Sequence, residues 1–298
     1  MKGVFIVLVI ALACVNVQAQ KVSNNLFVEK VIHDQNFEIP TKKAAYFDLD
    51  VRSFGNNVKS ANGRQVSTIV LPLPDGKFEE FEVTESQVMS SKLAAKFPNI
   101  KTYRGVSTNN AHFSVRFDLS PNGFHAMLFT PQGTVYIDPV NRQNSRDYQS
   151  YYKRDFLPGH KEVFQEKELL SNNTALGSQI DLISSQNASR PSGSELRTYR
   201  LAITATGEYT AFHGGTVEGA LSAIVTTMNR INGVYEREVA IRMVLVDNTD
   251  QLIFTNAATD GFSNNDAGAF IDEVQAKIDE IIGDENYDVG HGVSTGAG

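Results

Sequence analysis

Six histidines, His33, His112, His125, His160, His213 and His291, are the side chains in this sequence best suited to holding a metal ion or moving a proton near neutral pH. A metal site needs three or four converging donors. His112 and His125 fall in one β-rich stretch and could share a metal, but no third donor lies near them. They read as surface or hydrogen-bonded core histidines. His33 and His160 are isolated in polar surroundings and are assigned no role. His213 and His291 each stand alone, and neither has a second histidine four residues away, the spacing that puts two ligands on one helix face. No HExxH occurs anywhere in the sequence. No residue is therefore assigned as catalytic, cofactor-binding or metal-binding.

Thiol chemistry is equally restricted. The single cysteine, Cys14, lies in the apolar run Val4 to Val15, which follows Lys2 and precedes Val17-Gln18-Ala19. Those features read as an export signal cleaved after Ala19. Ala11-Leu12-Ala13-Cys14 could serve as a lipoprotein box, but the Val-Gln-Ala site fits better. The run is short for a membrane span and is followed by polar residues, so no membrane association is expected after signal removal. Without Cys14 the exported chain has no disulfide, no thiolate metal site and no cysteine nucleophile. Asn187-Ala188-Ser189 and Asn172-Asn173-Thr174 match glycosylation sequons, which matter only in a glycosylating host.

The net charge of -7, with no Lys/Arg stripe, argues against a nucleic-acid partner. With 298 residues, 41% of them hydrophobic and 20% charged, the chain suits a globular protein of two domains.

The elements that would position any site fall into two groups. From Gln20 to about Tyr152, short strands alternate with turn residues. Gln65 to Leu73 and Phe78 to Val83 flank Pro74-Asp75-Gly76 as a hairpin. A short helical piece falls within Thr84 to Phe97. Phe113, Val115, Phe117 and Leu119 alternate before Pro121-Asn122-Gly123, and Phe124, Ala126 and Leu128 before Pro131-Gln132-Gly133. Val135 and Ile137 then complete a three-stranded antiparallel meander. Lys161 to Leu170 could form a short amphipathic helix, and Ser171 to Glu195, rich in Ser, Asn, Gln and Gly, reads as an exposed connector.

Beyond it the pattern changes. Leu201, Ile203 and Ala205 alternate as a strand, and Thr216 precedes a helix with Val217, Leu221, Ile224, Val225, Met228 and Ile231 at helical spacing. Val239, Ile241, Met243 and Leu245 alternate again. Two strands joined by one such helix should lie parallel. Asp247 to Asn265 reads as a long polar loop. Asp266 caps a second helix that ends before Gly283, and Tyr287 to Val293 form a third strand.

The runs Leu196-Arg-Thr-Tyr-Arg-Leu-Ala-Ile-Thr-Ala-Thr-Gly-Glu-Tyr209, Met228-Asn-Arg-Ile-Asn-Gly-Val-Tyr-Glu-Arg237, Ile241-Arg-Met-Val-Leu-Val246 and Tyr287-Asp-Val-Gly-His291 resemble the start of reprolysin-like (M12B type) zinc metallopeptidases in their secreted bacterial form. Glu85-Ser-Gln-Val-Met89, Leu93-Ala-Ala-Lys-Phe-Pro98, Gly123-Phe-His-Ala126 and Tyr136-Ile-Asp-Pro139 are similar to the propeptide of the same group. The resemblance implies a signal at 1–19 and a β-rich propeptide at 20–170. A linker at 171–195 and the incomplete N-terminal part of a peptidase domain at 196–298 would follow. The implied fold is an α+β propeptide with an antiparallel meander, followed by the β-α-β-α-β front half of an α/β metzincin-like domain.

It also implies a secreted endopeptidase zymogen acting on proteins or peptides. Members of the family bind zinc through HExxHxxGxxH on a later helix, with its Glu as general base. That helix would lie beyond Gly298, so this chain reads as a fragment that neither binds catalytic zinc nor hydrolyses peptides. Some members hold calcium between a first-strand Glu and an Asp before the third strand. Asp288 matches the second position, but Arg200 occupies the first, which puts calcium in doubt. With no propeptide cysteine in the exported chain, latency would need steric cover or an oxygen donor.

Two other functions compete. Gly290-His291-Gly292 and Gly296-Ala297-Gly298 follow a strand, as in a nucleotide- or phosphate-binding α/β protein, but neither GxGxxG nor GxxxxGK is present. A non-enzymatic exported binding module would instead use Gln20 to Tyr152 as its working part.

Overall fold

The computed structural model describes residues 26–32, 37–59, 67–141, 144–157 and 195–296. The expected signal, His33, His160, both sequons, the helix expected at 161–170 and most of the connector lie outside these residues.

The first half forms a nine-stranded, wholly antiparallel sheet. Its strands are β1 (Phe27–Glu29), β2 (Ala45–Leu49), β3 (Ser67–Pro72), β4 (Phe78–Glu85), β5 (Lys101–Ser107), β6 (Ser114–Ser120), β7 (Gly123–Thr130), β8 (Gly133–Asn141) and β9 (Asn144–Tyr152). They lie in the order β1-β2-β9-β8-β7-β6-β5-β4-β3. The sheet curls until it is nearly a barrel: Ser150 Oγ on β9 donates to Pro72 O on β3 at 3.0 Å, and Phe47 on β2 meets Phe78 on β4 with ring centroids 5.8 Å apart.

Alternation explains the core. Phe113, Val115, Phe117, Leu119, Phe124, Ala126, Leu128, Val135 and Ile137 all point into one cluster, together with Phe27, Phe47 and Tyr148. Helix α1 (Val51–Lys59) plugs this interior with Phe54, whose ring packs edge-on against Phe27, Phe117 and Phe124. The β6-β7 turn needs its glycine. Gly123 has φ 106°, and a Cβ there would come within 2.8 Å of Tyr148 Oη.

Between β4 and β5 the expected helical piece is confined to α2 (Ser91–Lys96), capped by Ser90 Oγ, which accepts from Leu93 N at 3.2 Å.

The second half is a parallel sheet in the order β11-β10-β12, from β10 (Arg197–Ala205), β11 (Ile241–Leu245) and β12 (Val289–Val293). A short helix, α3 (Gly207–Phe212), precedes the 22-residue α4 (Val217–Glu238); α5 (Ala267–Ile281) leads to β12. Both long helices begin where the sequence indicates. Thr216 Oγ1 accepts from Gly219 N at 3.0 Å, and Asp266 Oδ1 from Gly268 N and Ala269 N at 3.0 and 3.1 Å. Alternation along β10 sets the two layers. Leu201, Ile203 and Ala205 face α4, whereas Ala202 packs with Val274 and Ile278 of α5.

Several boundaries differ from the sequence pattern. Val239 ends α4 rather than starting a strand, because the chain turns through Ala240 at φ 54°. The segment after β11 is not simply a polar loop: it holds a 3-10 turn at Thr249–Leu252, and Leu252, Ile253 and Asp260 are buried. Asp260 is satisfied by the backbone N–H groups of Gly207 at 2.7 Å and Phe262 at 3.0 Å, which is how a carboxylate is tolerated there.

Candidate functional site

Helix α4 lies between the two sheets, and its side away from β10 carries polar residues. Thr226, Asn229, Arg230, Gly233 and Glu236 recur at three- and four-residue intervals, a stripe that in sequence looks solvated. In the structure it covers the outer face of the barrel. Asp118 on β6, His125 on β7 and Asp138 on β8 form a row beneath it: Asp118 pairs across to His125, and His125 Nδ1 lies 2.7 Å from Asp138 Oδ1.

Each carboxylate in that row is matched by donors. Asp138 accepts from Tyr151 Oη at 2.9 Å and from the guanidinium of Arg230, as well as facing His125. Asp118 accepts from Thr226 Oγ1 at 2.7 Å, and Asn229 Nδ2 donates to Phe117 O at 2.9 Å. Further along, Glu236 meets Arg116, lies 2.6 Å from Arg242 Nε, and has Arg104 at 3.7 Å. Gly233 lets the helix approach this closely, since a Cβ there would lie 3.0 Å from Arg116 Cγ and 3.3 Å from Phe129 Cε2.

The two aspartates titrate in opposite directions. Burial pushes Asp118 up to about 6, against the pull of His125, Thr226 and Arg230. Burial also acts to raise Asp138, but Arg230 and His125 outweigh it and hold that carboxyl well below the usual range. Tyr151 is pushed up by burial and by the Asp138 charge. One carboxyl raised beside one lowered is the asymmetry an acid–base pair requires. Here Asp118 and Asp138 are 1% and 2% exposed, and their partners leave no approach for a substrate atom. The chemistry of the cluster is docking of one unit on the other.

The histidines singled out in the sequence are not brought together as a metal site. His112 is exposed in the turn before β6, and His125 is engaged by Asp138. His213 ends α3 with its ring 4.4 Å from that of Tyr209, and His291 is exposed on β12 opposite Ile203. Among the described residues, no group of three or more His, Cys, Asp or Glu side chains could hold a metal ion. These residues therefore do not fit a zinc site.

Nor do Arg200 and Asp288 fit calcium. Arg200 Nη2 and Nε lie 2.8 and 3.2 Å from Asp288 Oδ1, and Nη1 donates to Glu285 O at 2.8 Å. Arg200 N donates to Asp288 Oδ2 at 2.7 Å. The guanidinium thus engages the oxygens that a cation would take, and it cannot itself ligate one. This contact holds the Asp288 carboxyl below its ordinary value.

Residues 195–296 match the model of the reprolysin-like metallo-peptidase family M12B. No curated protein matches the chain. The match supports a metallopeptidase-type function on protein or peptide substrates, in a family that is generally zinc-dependent.

Proposed function

From the reprolysin-like character of residues 195–296 we infer that the chain is the precursor form of an exported zinc-dependent metalloendopeptidase. In this reading residues 1–19 are the export signal, 20–170 a propeptide, 171–195 the connector and 196–298 the leading part of the catalytic domain. The family match over 195–296 carries the proposal. The strand and helix order over those residues and the docking of the barrel on α4 are consistent with it.

Hydrolysis of this type needs three ligands that leave zinc one open position for water, and a carboxylate to take the proton of that water. The 298 residues contain no HExxH, so neither the ligand set nor that base is among them. What these residues would contribute is the scaffold: β10 as the central strand, with α4 and α5 fixing its two faces. With no cysteine after Ala19, latency in this proposal rests on steric cover or on an oxygen donor.

Zinc content and casein cleavage should be compared between the 298-residue chain and a version continued through HExxHxxGxxH. The short form is expected to show neither. Activity should appear on extension and rise once the chain is cut between residues 157 and 195. Stoichiometric zinc with chelator-sensitive cleavage by the short form would defeat the proposal, as would an extended form that stays inert after cleavage.

A further inference from the structure

The hydrophobic core beneath α4 is not built from residues 195–296 alone. Val88, Met89, Leu93 and Ile100, all from the N-terminal half, pack in one cluster with Leu201, Ile203, Leu221 and Leu245. Leu93 is fully buried there, and Val88 and Ile100 are 1% exposed.

The backbone is shared too. Leu245 N donates to Val88 O at 2.8 Å and Ser90 N to Leu245 O at 2.9 Å, so Met89 lies parallel beside β11 at the sheet edge. An open edge strand carries unpaired backbone groups and is a template for unwanted pairing, which this contact blunts. α2 then anchors the approach, with Lys92 Nζ 2.9 Å from Asp247 and Lys96 Nζ 2.8 Å from Asp250. The second grip is the polar junction described above, in which Thr226, Arg230 and Glu236 of α4 meet Asp118, Asp138 and Arg116 of the barrel.

We propose that, once the chain is cut between residues 157 and 195, the N-terminal unit (residues 26–157) stays bound to residues 195–296 as a stoichiometric subunit. The partner of the β11 edge and of the polar side of α4 is thus this chain's own barrel, held without a covalent link. Separation would expose the four apolar side chains above to water, which is the penalty that holds the units together, while the Thr226–Asp118 and Arg230–Asp138 bonds, exchanged for water on separation, fix the register of docking. Cutting the link removes only the effective concentration it imposed. The inference rests on packing and not on the peptidase reading, because its readout is association rather than hydrolysis.

The test uses the full 298-residue chain with a site-specific protease sequence inserted between residues 171 and 194. After complete cleavage, size-exclusion chromatography with light scattering at micromolar concentration and pH 5.5 should give one species with the mass of the uncut chain, separating only in denaturant. Fragments that elute apart, or precipitation of 195–296 with release of the barrel, would overturn the proposal. A second variant guards against a merely slow separation. Lys92→Glu with Lys96→Glu reverses two exposed charges and leaves both cores intact, so it should loosen the nicked complex about tenfold at low salt and less at high salt. If the nicked complex holds but is indifferent to this reversal, α2 is not part of the grip and the proposal fails in that form.

Discussion

Arg230 of α4 and Asp138 of β8 form an ion pair across the junction of the two sheets, 92 residues apart in sequence. The carboxylate is 2% exposed, and the guanidinium also lies over the Tyr136 ring at 4.8 Å from its centroid. Arg230 therefore does two things for the barrel: it neutralises a buried charge and covers an aromatic face.

Replacing Arg230 with Met should destabilise the chain markedly, because Asp138 would keep only His125 and Tyr151 as partners. Breaking a buried pair by removing one member costs about 3–5 kcal/mol, and the two remaining donors place this case near the lower end. Asp138→Asn in the same background should restore part of the loss, giving a coupling energy above about 1 kcal/mol in a double-mutant cycle of urea unfolding. Strictly additive effects would show that the pair contributes nothing as a pair.

Asp118 gives the junction a pH dependence with a definite sign. Its folded pKa is raised from 3.8 to about 6, chiefly by burial, so its stabilising contribution is complete below the unfolded value and is lost as pH rises through about 6. Asp138 is shifted the other way, so its contribution is present above 3.8 and lost as pH falls below it. Between these two groups stability should thus decline on both sides of a maximum near pH 4. Asp118→Asn should abolish the decline between pH 4 and 6, leave the acid limb, and exceed wild-type stability at pH 7 by about 1–3 kcal/mol. Equal unfolding midpoints for variant and wild type at pH 7 would rule out a desolvated Asp118.

Much of this fold can be read from local pattern. The inward residues of β6, β7 and β8 alternate cleanly, and the helix starts at Thr216 and Asp266 carry side-chain oxygens in the right place. β9 is harder to read. Its sequence, NSRDYQSYY, is polar, yet Gln149 and Ser150 are fully buried because their side chains bond to Ile39 O and Pro72 O, partners far away in sequence. β5 lacks clean alternation, and Gly105 in it serves a close approach to Glu82 and Val83 of β4. The junction was hidden for a related reason. Arg116, Asp118 and Asp138 occupy the outward positions of their strands, which in an isolated sheet face water, and the polar stripe on α4 looks equally solvated. Only bringing the two together reveals that each buries the other. The available signal was complementarity: acceptors at alternate strand positions matched to Thr226 and Arg230 at helical spacing.

Limited proteolysis should cut first between Ser171 and Leu196. That stretch is poor in apolar residues, and the nearest described residues on its two sides are tied down, Leu157 by its N–H bond to Pro40 O and Arg197 by the β10 ladder. N-terminal sequencing of the earliest fragments is the measurement. First cuts within residues 113–137 would contradict the barrel, since those strands lie at its centre.

Arg200 gives Asp288 a permanent positive partner, with further bonds from the guanidinium to the carbonyls of Glu285 and Tyr287 at 2.8 and 3.4 Å. Calcium needs six to eight oxygen ligands, and a guanidinium both blocks the position and repels the ion. The unfolding temperature of the natural chain should therefore be the same in millimolar calcium and in chelator. Arg200→Glu places a second carboxylate beside Asp288 and leaves the two carbonyls free to bind. That variant should be less stable than the natural chain in chelator, where two like charges face each other, and should regain about 2–4 °C or more when calcium is added. A calcium-dependent rise in the natural chain would show that the guanidinium does not substitute for the ion. An Arg200→Glu chain that ignores calcium would show that the surrounding oxygens are not arranged to complete a site.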